Sequence, residues 1–501
     1  MIIYLILFPF IVGCSWFEPI ISSVTGVRVD AVAGVDILQN GGEYWETITV
    51  DGNQIGFQRT ALSRLEDKLL FEQQSRLIAL RHGERFDVAM LIKSESDSNG
   101  MMTNCKLQIT TGRNPIETNF SIKNNKLVIT TEKNQQEIEW QKTAGADAII
   151  RSLLANPLKL SEKRQITFFD PSQSRIVKSM MTAESIEQIP INGDVKNLLR
   201  INVQNQINHD SQQEYIYWTD RGGNIIRTET VLDKKVITTS RSPKKLAISI
   251  ISDEPNVDLG NFGEVILDGQ IELPRTESPI SYQVKFTPHL PKGTFTNSAF
   301  QKIVPLDDSS VQITVWSAVG NIPKNYGNTE FDGTNDEPQS DDQFEEYLVS
   351  NGFIDLDDPV LLQLAAAVDS SKMTDWETAV MLEKLVSKTV KLSSLSVAFA
   401  SSADALQLQK GDCTEQAVLL AALCRVKKIP SRVVLGLAFS VAQNGTSQNQ
   451  NNPANQNDNN LQNITHNKMV FHLWNEVYVD GIWCPLDAAY ALGGADAARI
   501  K

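Results

Sequence analysis

The pattern of apolar residues changes character along this chain, and the change limits the folds that the chain can adopt. From about residue 43 to residue 320, short apolar runs alternate with Gly, Pro and Asn, which predicts β-strands. After residue 346, apolar residues first recur at helical spacing, and strand-like runs then return. The sequence therefore predicts an α+β multidomain protein with a β-rich N-terminal region.

The composition shifts suggest five segments within the 501 residues. They are a signal segment at 1–14, a β-rich domain at 40–240, a β-rich segment or small second domain at 245–320, an acidic linker at 322–345 and an α+β domain at 346–501. Within the first β-rich domain, two stretches with hairpin turn chemistry predict two hairpins of one meandering sheet. These stretches are Glu43 to Thr60 and Glu214 to Val231.

Charge and cysteine content exclude several classes of function. The formal net charge is −14, which disfavours nucleic acid as a partner. Five cysteines in 501 residues do not form a disulfide framework. No cluster of residues has zinc-ligand spacing, so we expect no metal and no cofactor.

The N-terminal stretch MIIYLILFPFIVGC is almost wholly apolar up to Cys14. It is too short to span a bilayer but suits the apolar core of a secretory signal. Ile11 to Cys14 resembles a bacterial lipoprotein signal, which implies that Cys14 is lipidated and anchors the protein to a membrane. The absence of Lys or Arg ahead of the core leaves an ordinary signal or an uncleaved tail as alternatives. Each reading predicts export to the cell envelope or periplasm.

The stretch from Gln443 to Asn467 is of low complexity, with 15 Asn or Gln among its 25 residues. It has almost nothing apolar to bury. We expect a disordered loop here, inserted directly before a strand-like run.

Cys413 stands at the start of a predicted helix. Asp412 can cap this helix, Glu415 completes a capping-box pair, and Ala417 to Leu423 forms an apolar body that predicts burial. The first turn of a helix presents free N–H groups and a positive dipole end, which stabilise a thiolate. The position suits a nucleophile, although a helix-start cysteine without a partner is more often structural.

A hairpin supplies the partner for that cysteine. Asp480-Gly481 is a two-residue turn signal, and it pairs flanking residues so that Trp474 faces Asp487. His472 then lies on the same face, one diagonal step from Asp487, within reach of a hydrogen bond. The sequence therefore predicts that His472 and Asp487 interact.

Four motifs from Ile354 to Lys501 together resemble the transglutaminase-like superfamily, particularly its bacterial members. They occur in the family's order and are Gly411 to Glu415, Ile429 to Gly436, His472 to Tyr478 and Trp483 to Asp487. The resemblance implies a papain-like fold in this part of the chain. It also implies that Cys413 is the nucleophile, His472 the general base and acid, and Asp487 the residue that orients His472.

The chain departs from its relatives at three places. Gln416 stands where relatives often carry His, and the Asn/Gln-rich insertion precedes the His472 strand. Relatives commonly continue beyond the position of Lys501, so we expect one of their C-terminal strands to be missing. None of these differences removes Cys413, His472 or Asp487.

The remaining aromatic and cysteine residues of this region have a structural interpretation. Trp474 could line the cleft, but core packing is the favoured reading for Trp474, Trp483 and Tyr478. Cys424 and Cys484 are expected to be buried hydrophobes.

Two functions of different classes follow from these observations. The first is cysteine-dependent acyl transfer on peptide or protein amides in the cell envelope, either hydrolysis or transamidation. The second is a non-catalytic envelope lipoprotein that binds peptides or proteins through the same fold. The complete Cys413, His472 and Asp487 set favours the enzyme.

Overall fold

The computed structural model describes residues 28–31 and, with fifteen gaps, residues 41–501. The stretches left out are 82–83, 112–114, 132–134, 209–210, 233–234, 252–253, 260–263, 270, 272–278, 287–293, 308, 321–340, 352, 393–400 and 441–466. The predicted signal with Cys14, nearly all of the predicted acidic linker and nearly all of the Asn/Gln-rich loop therefore lie outside the described residues.

The N-terminal region is built on one 14-stranded antiparallel sheet. Its strands are β1 (Gly42–Val50), β2 (Asn53–Leu65), β3 (Lys68–Arg81), β4 (Glu84–Ser96), β5 (Met102–Thr110), β6 (Ile116–Lys123), β7 (Lys126–Thr131), β8 (Gln135–Glu139), β9 (Lys163–Asp170), β10 (Arg175–Ile191), β11 (Asp194–Asn208), β12 (Ser211–Thr219), β13 (Ile225–Leu232) and β14 (Lys235–Ser242).

The sheet is a meander whose first and last strands also pair with each other. Its order runs from β8 back to β1, then from β14 back to β9. In β1, Tyr44, Glu46, Ile48 and Val50 are buried while the residues that alternate with them are more exposed, as period-2 alternation requires. Asp51 and Gly52 have positive φ and form the β1–β2 turn. Both predicted hairpins belong to this one sheet, which confirms that prediction.

The sheet curves until residues from distant strands meet. Phe120 of β6 and Phe169 of β9 are in edge-to-face contact, with ring centroids 5.1 Å apart, and Trp140 packs on the same Phe169. Helix α1 (Ala148–Ala155) buries Ile149 and Leu153 against strands β9 to β13. The large sheet thus encloses its own apolar core.

The rest of the chain forms smaller sheets and most of the helices. The strands are β15 (Val265–Ile266), β16 (Ile280–Lys285), β17 (Gln301–Asp307), β18 (Ser310–Val315), β19 (Lys391–Leu392), β20 (Lys410–Gly411), β21 (Ser431–Ser440), β22 (Lys468–Val479), β23 (Ile482–Leu486) and β24 (Arg499–Ile500). The helices are α2 (Lys244–Ala247), α3 (Pro359–Ala366), α4 (Asp375–Thr389), α5 (Ser402–Leu408) and α6 (Cys413–Val426), with 3₁₀ helices at Ile248–Ile251 and Asp341–Tyr347.

Helix α6 lies at the centre of the C-terminal region. Strands β21 and β22 pack along it, and helices α3, α4 and α5 cover its other sides. The central sheet has the order β15-β22-β21-β24, and β23 also pairs with β22. A β-rich N-terminal region is thus followed by an α+β region, which confirms the predicted fold class.

Local sequence signals set the starts of these helices. Asp358 caps α3 ahead of a proline at its first position. Thr374 and Glu377 form the predicted capping box of α4. At α6, the side chain of Asp412 accepts a hydrogen bond from the N–H of Thr414, and the side chain of Glu415 accepts one from the N–H of Asp412.

The large N-terminal sheet also contacts the C-terminal region. Ala417 of α6 and Leu473 of β22 belong to the same buried apolar cluster as Ala79 and Phe86 of the sheet. Cys413 packs against this cluster. The beginning of α6 is therefore held between the two regions. Within the described residues, none of the helices has the length and apolar character needed to cross a membrane.

Gly436 is required where β24 crosses close to β21. A Cβ atom at this position would clash with the backbone oxygen of Ile500 and with the indole of Trp474. We expect Gly436→Ala to destabilise the protein by about 1–3 kcal/mol because the packed neighbours must move. Thermal unfolding should show a lower midpoint for this variant. Gly269→Ala is the matched control, since a Cβ there meets nothing within 4 Å, and an equal loss in both variants would contradict the prediction.

Candidate active site

Cys413 is the first residue of helix α6, as predicted. The capping box at Asp412 and Glu415 satisfies the exposed N–H groups on either side of it. Every side chain from Thr414 to Arg425 is buried, whereas Cys413 is half-buried. The thiol is thus accessible at the end of a helix that cannot easily move.

His472 and Asp487 come together in the predicted register. Tyr478 pairs with Trp483 and Asn475 with Leu486, which is the pairing that the Asp480-Gly481 turn implies. His472 Nε2 and Asp487 Oδ2 are 2.7 Å apart. The helix and the hairpin are also tied together, because Asn475 Nδ2 donates to the carbonyl oxygen of Ala417 at 2.9 Å.

His472 interacts with both of its predicted partners. It is hydrogen-bonded to Asp487, and the Cys413 thiol is part of its electrostatic environment. Burial lowers the pKa of His472, but the charges of Asp487 and Cys413 and the hydrogen bond to Asp487 raise that pKa well above its usual value. The arrangement therefore favours an imidazolium next to the sulfur.

Two aromatic rings flank the His472 imidazole. Trp474 is stacked at a centroid distance of 6.2 Å, and Tyr490 contacts the ring edge-on at 5.8 Å. Trp474 is buried, as the core-packing interpretation predicted, whereas Tyr490 retains 39 % of its exposure. Tyr490 is thus the solvent-facing wall beside the imidazole.

Asp487 is held at both of its carboxylate oxygens. Oδ1 accepts the backbone N–H of Ala489 at 3.0 Å, and Oδ2 accepts from Arg499 Nε at 2.7 Å as well as facing His472. Burial raises the pKa of Asp487, but the charges of His472 and Arg499 outweigh it and hold that pKa well below its usual range. Asp487 is therefore ionised at neutral pH.

A second buried carboxyl fixes the segment that carries Asp487. Glu383 of α4 accepts the backbone N–H of Asp487 at 3.0 Å and that of Gly493 at 2.8 Å. A third backbone N–H, from Gly494, lies 3.4 Å away. Burial raises the pKa of Glu383 to about 7, although these three hydrogen bonds oppose the shift. The segment after β23 is thereby fastened to helix α4.

Arg499, Glu383 and Tyr490 were not predicted from the sequence as part of the site. The Asp-Ala-Ala-Arg-Ile stretch around Arg499 has no motif, and Glu383 lies on a helix whose pattern shows only ordinary amphipathic spacing. Glu383 lies on the apolar side of α4, and a buried acid needs hydrogen-bond partners. This position was a signal in the sequence that Glu383 holds another part of the chain.

The other cysteine and aromatic residues of this region pack in or beside the interior. Cys424 and Cys484 are fully buried, as expected. Trp483 packs on Tyr478 and Tyr347 and lies under the guanidinium of Arg432. Among the described residues, no group of three His, Cys, Asp or Glu side chains is arranged to hold a metal ion.

Gln416, which replaces a histidine common in relatives, is buried one turn along α6 from Cys413. Its Nε2 donates to the carbonyl oxygen of Val390 at 2.9 Å. This contact joins α6 to the end of α4.

The C-terminal part of the chain is similar in sequence to a known family. Residues 362–488 match the model of the transglutaminase-like superfamily. The match includes Cys413, His472 and Asp487, and it confirms the resemblance inferred from the four motifs. None of the curated proteins matches the chain.

Several solved structures have limited similarity to this chain. One is a beta-barrel-like protein of domain of unknown function DUF1849 from Brucella abortus, 10% identical, covering 40% of this chain and 94% of that chain, with a TM-score of 0.32. Another is named "Putative Cysteine Protease" from Cytophaga hutchinsonii, 16% identical, covering 46% of this chain and 73% of that chain, with a TM-score of 0.24. A third, named "Putative Protease" from Parabacteroides distasonis, is 12% identical and covers 82% of this chain and 65% of that chain, with a TM-score of 0.19.

Glu383 should make the stability of the protein depend on pH. Its pKa is raised from 4.5 to about 7, so the folded protein keeps a proton that the unfolded chain has released. Glu383 therefore adds up to about 3 kcal/mol to the free energy of unfolding below pH 4.5. This stabilisation is lost as the pH rises through about 7.

We expect Glu383→Gln to reduce the change in unfolding free energy between pH 5 and 8, because glutamine does not titrate. Chemical denaturation at several pH values between 5 and 8 measures the difference. Asp375→Asn, on an exposed site of the same helix, is the matched control. Parallel profiles for wild type and Glu383→Gln would contradict the prediction.

Proposed function

We propose that this protein is a cysteine-dependent acyl-transfer enzyme that acts on peptide or protein amides. The observation that supports the proposal is the grouping of three residues: Cys413 is half-buried at the start of α6, its charge acts on His472, and His472 Nε2 lies 2.7 Å from Asp487 Oδ2. A nucleophile hydrogen-bonded to a base, which is in turn oriented by a third group, is the arrangement that activates a thiol. The family match over residues 362–488 supports a transglutaminase-like activity.

In the proposed mechanism, His472 takes the proton of the Cys413 thiol. The sulfur attacks the amide carbonyl carbon, a C–S bond forms, and the carbonyl oxygen becomes an oxyanion. The C–N bond then breaks, and His472 gives its proton to the departing amine. A thioester on Cys413 and a free amine are the products of this first half.

The second half regenerates the thiol. His472 takes a proton from water or from an acceptor amine, which attacks the thioester carbon and displaces the sulfur. Water gives hydrolysis and an amine gives transamidation; we favour hydrolysis, because water is abundant. The backbone N–H of Cys413, in the first turn of α6, is one donor to the oxyanion. Asp487 keeps the imidazole in the orientation that both halves need.

The proposal predicts separable effects of two substitutions. Cys413→Ala should abolish labelling by a thiol-reactive acyl probe and all amide turnover, because the nucleophile is gone. Asp487→Asn should keep the labelled cysteine but lower turnover by about a hundredfold or more, since the imidazole loses its orienting partner. Mass spectrometry of the labelled protein and amine release from peptide amides are the measurements.

Cys424→Ala provides the control, because this cysteine lies on the same helix but is buried away from solvent. It should leave labelling and turnover unchanged. A folded wild-type protein that binds peptides, but whose Cys413 is not labelled, would replace the enzyme with a non-catalytic binding protein.

We further propose that the protein is exported and anchored in the cell envelope through a lipid on Cys14. The apolar run that ends in Ile-Val-Gly-Cys supports this proposal. More than one acyl chain on the cysteine gives stable membrane attachment, whereas a single chain is reversible.

The lipid anchor predicts that the mature protein begins at Cys14 and fractionates with membranes. Cys14→Ala should release the protein into the soluble fraction. N-terminal mass spectrometry and fractionation of the full-length protein are the measurements. A mature terminus at Met1 or near Ala33 would contradict the proposal.

A further inference from the structure

Buried charges of alternating sign continue beyond the predicted triad. Asp487 is hydrogen-bonded to His472, and the charge of Cys413 also acts on this imidazole. Two nitrogens of Arg499, in β24, approach the oxygen of Asp487 that faces His472. Nε donates to Asp487 Oδ2 at 2.7 Å, and Nη2 also lies 2.7 Å from this oxygen. Nη1 of Arg499 donates to Asp496. Five charged or chargeable groups therefore alternate in sign from the sulfur to Asp496.

We propose that Arg499 is a positioning residue that fixes Asp487 against His472 and, together with Asp496, sets the charge that His472 faces. The carboxylate of Asp487 cannot rotate, because Oδ1 is held by Ala489 while Oδ2 is held by Arg499. Arg499 is itself buried, with 4 % of its surface exposed, so its partners are not exchanged for water. This inference rests on the proposed function, for which His472 must be oriented and correctly charged.

Arg499 also acts on His472 through Tyr490. The guanidinium carbon of Arg499 lies 4.6 Å from the centroid of the Tyr490 ring, and this ring contacts His472 edge-on. A cation over an aromatic face is an attractive contact. Arg499 thus fixes two of the groups that surround the imidazole, the carboxylate and the exposed aromatic wall.

The charge on Arg499 affects the imidazolium directly. When His472 is protonated, two cations share one carboxylate oxygen, and Asp496 offsets the second of them. In a buried site such charges are weakly screened. The titratable groups next to His472 are Cys413, Asp487 and Tyr490. Arg499 and Glu383 lie behind Asp487, and Asp496 pairs with Arg499.

The test is a pair of substitutions with opposite expected signs. Arg499→Gln removes the cation next to Asp487, so the pKa of His472 should rise by about one unit. Asp496→Asn leaves the charge of Arg499 uncompensated, so the pKa of His472 should fall by about as much. Histidine side-chain NMR can follow both shifts in the full-length protein, which has five histidines, with His472→Asn for assignment.

Turnover supplies the second readout. The alkaline limb of the pH profile, where His472 loses its proton, should move up in Arg499→Gln and down in Asp496→Asn. Arg499→Lys retains the charge and should restore a near-wild-type pKa for His472, with lower turnover because a lysine cannot hold Asp487 at two points. If Arg499→Gln does not fold, Asp496→Asn and Arg499→Lys still decide the proposal.

Arg425→Gln is the matched control, since Arg425 is another buried arginine whose partners are the carbonyl oxygens of Ser431 and Val349. It should leave the pKa of His472 unchanged. Shifts of the same sign in Arg499→Gln and Asp496→Asn, or no shift in either, would overturn the proposal. Opposite NMR shifts in a protein that turns over no amide would instead retain this inference and reject the proposed function.

Discussion

The burial of helix α6 is the constraint on which the site depends. Its side chains from Thr414 to Arg425 are enclosed by strands β21 and β22 and by three other helices, so the helix has little freedom to shift. Cys413 at its first residue is consequently a fixed point. The capping box also fixes the backbone on either side of Cys413, because Asp412 and Glu415 set the path by which the chain enters the helix.

Electrostatics then determine which groups can surround that fixed point. Isolated charges are costly in a buried site, and a charge is retained there when its neighbours carry the opposite sign. Asp487 meets this condition through His472 and Arg499, and Arg499 meets it through Asp487 and Asp496. Glu383 is instead held by backbone N–H groups, and burial raises its pKa to about 7.

The features that could be predicted from the sequence are those set by neighbouring residues. The start of α6 follows from Asp412 and Glu415, and the facing of His472 and Asp487 follows from a two-residue turn between them. The contacts of Arg499 could not be predicted, because they depend on where β24 docks on β21. For the same reason, the strand pattern predicted a meandering sheet but not the pairing of β1 with β14 that joins its two halves.

The position of β24, close to the end of the sequence, affects how the site around Asp487 is assembled. Formation of α6 and the β22–β23 hairpin brings the sulfur, the imidazole and the carboxylate into one place. The carboxylate gains its second anchor only when the later segment carrying Arg499 folds back onto β21. Until then, Asp487 would be held at Oδ1 alone, and neither its Oδ2 nor the Tyr490 ring beside His472 would have its contact with Arg499.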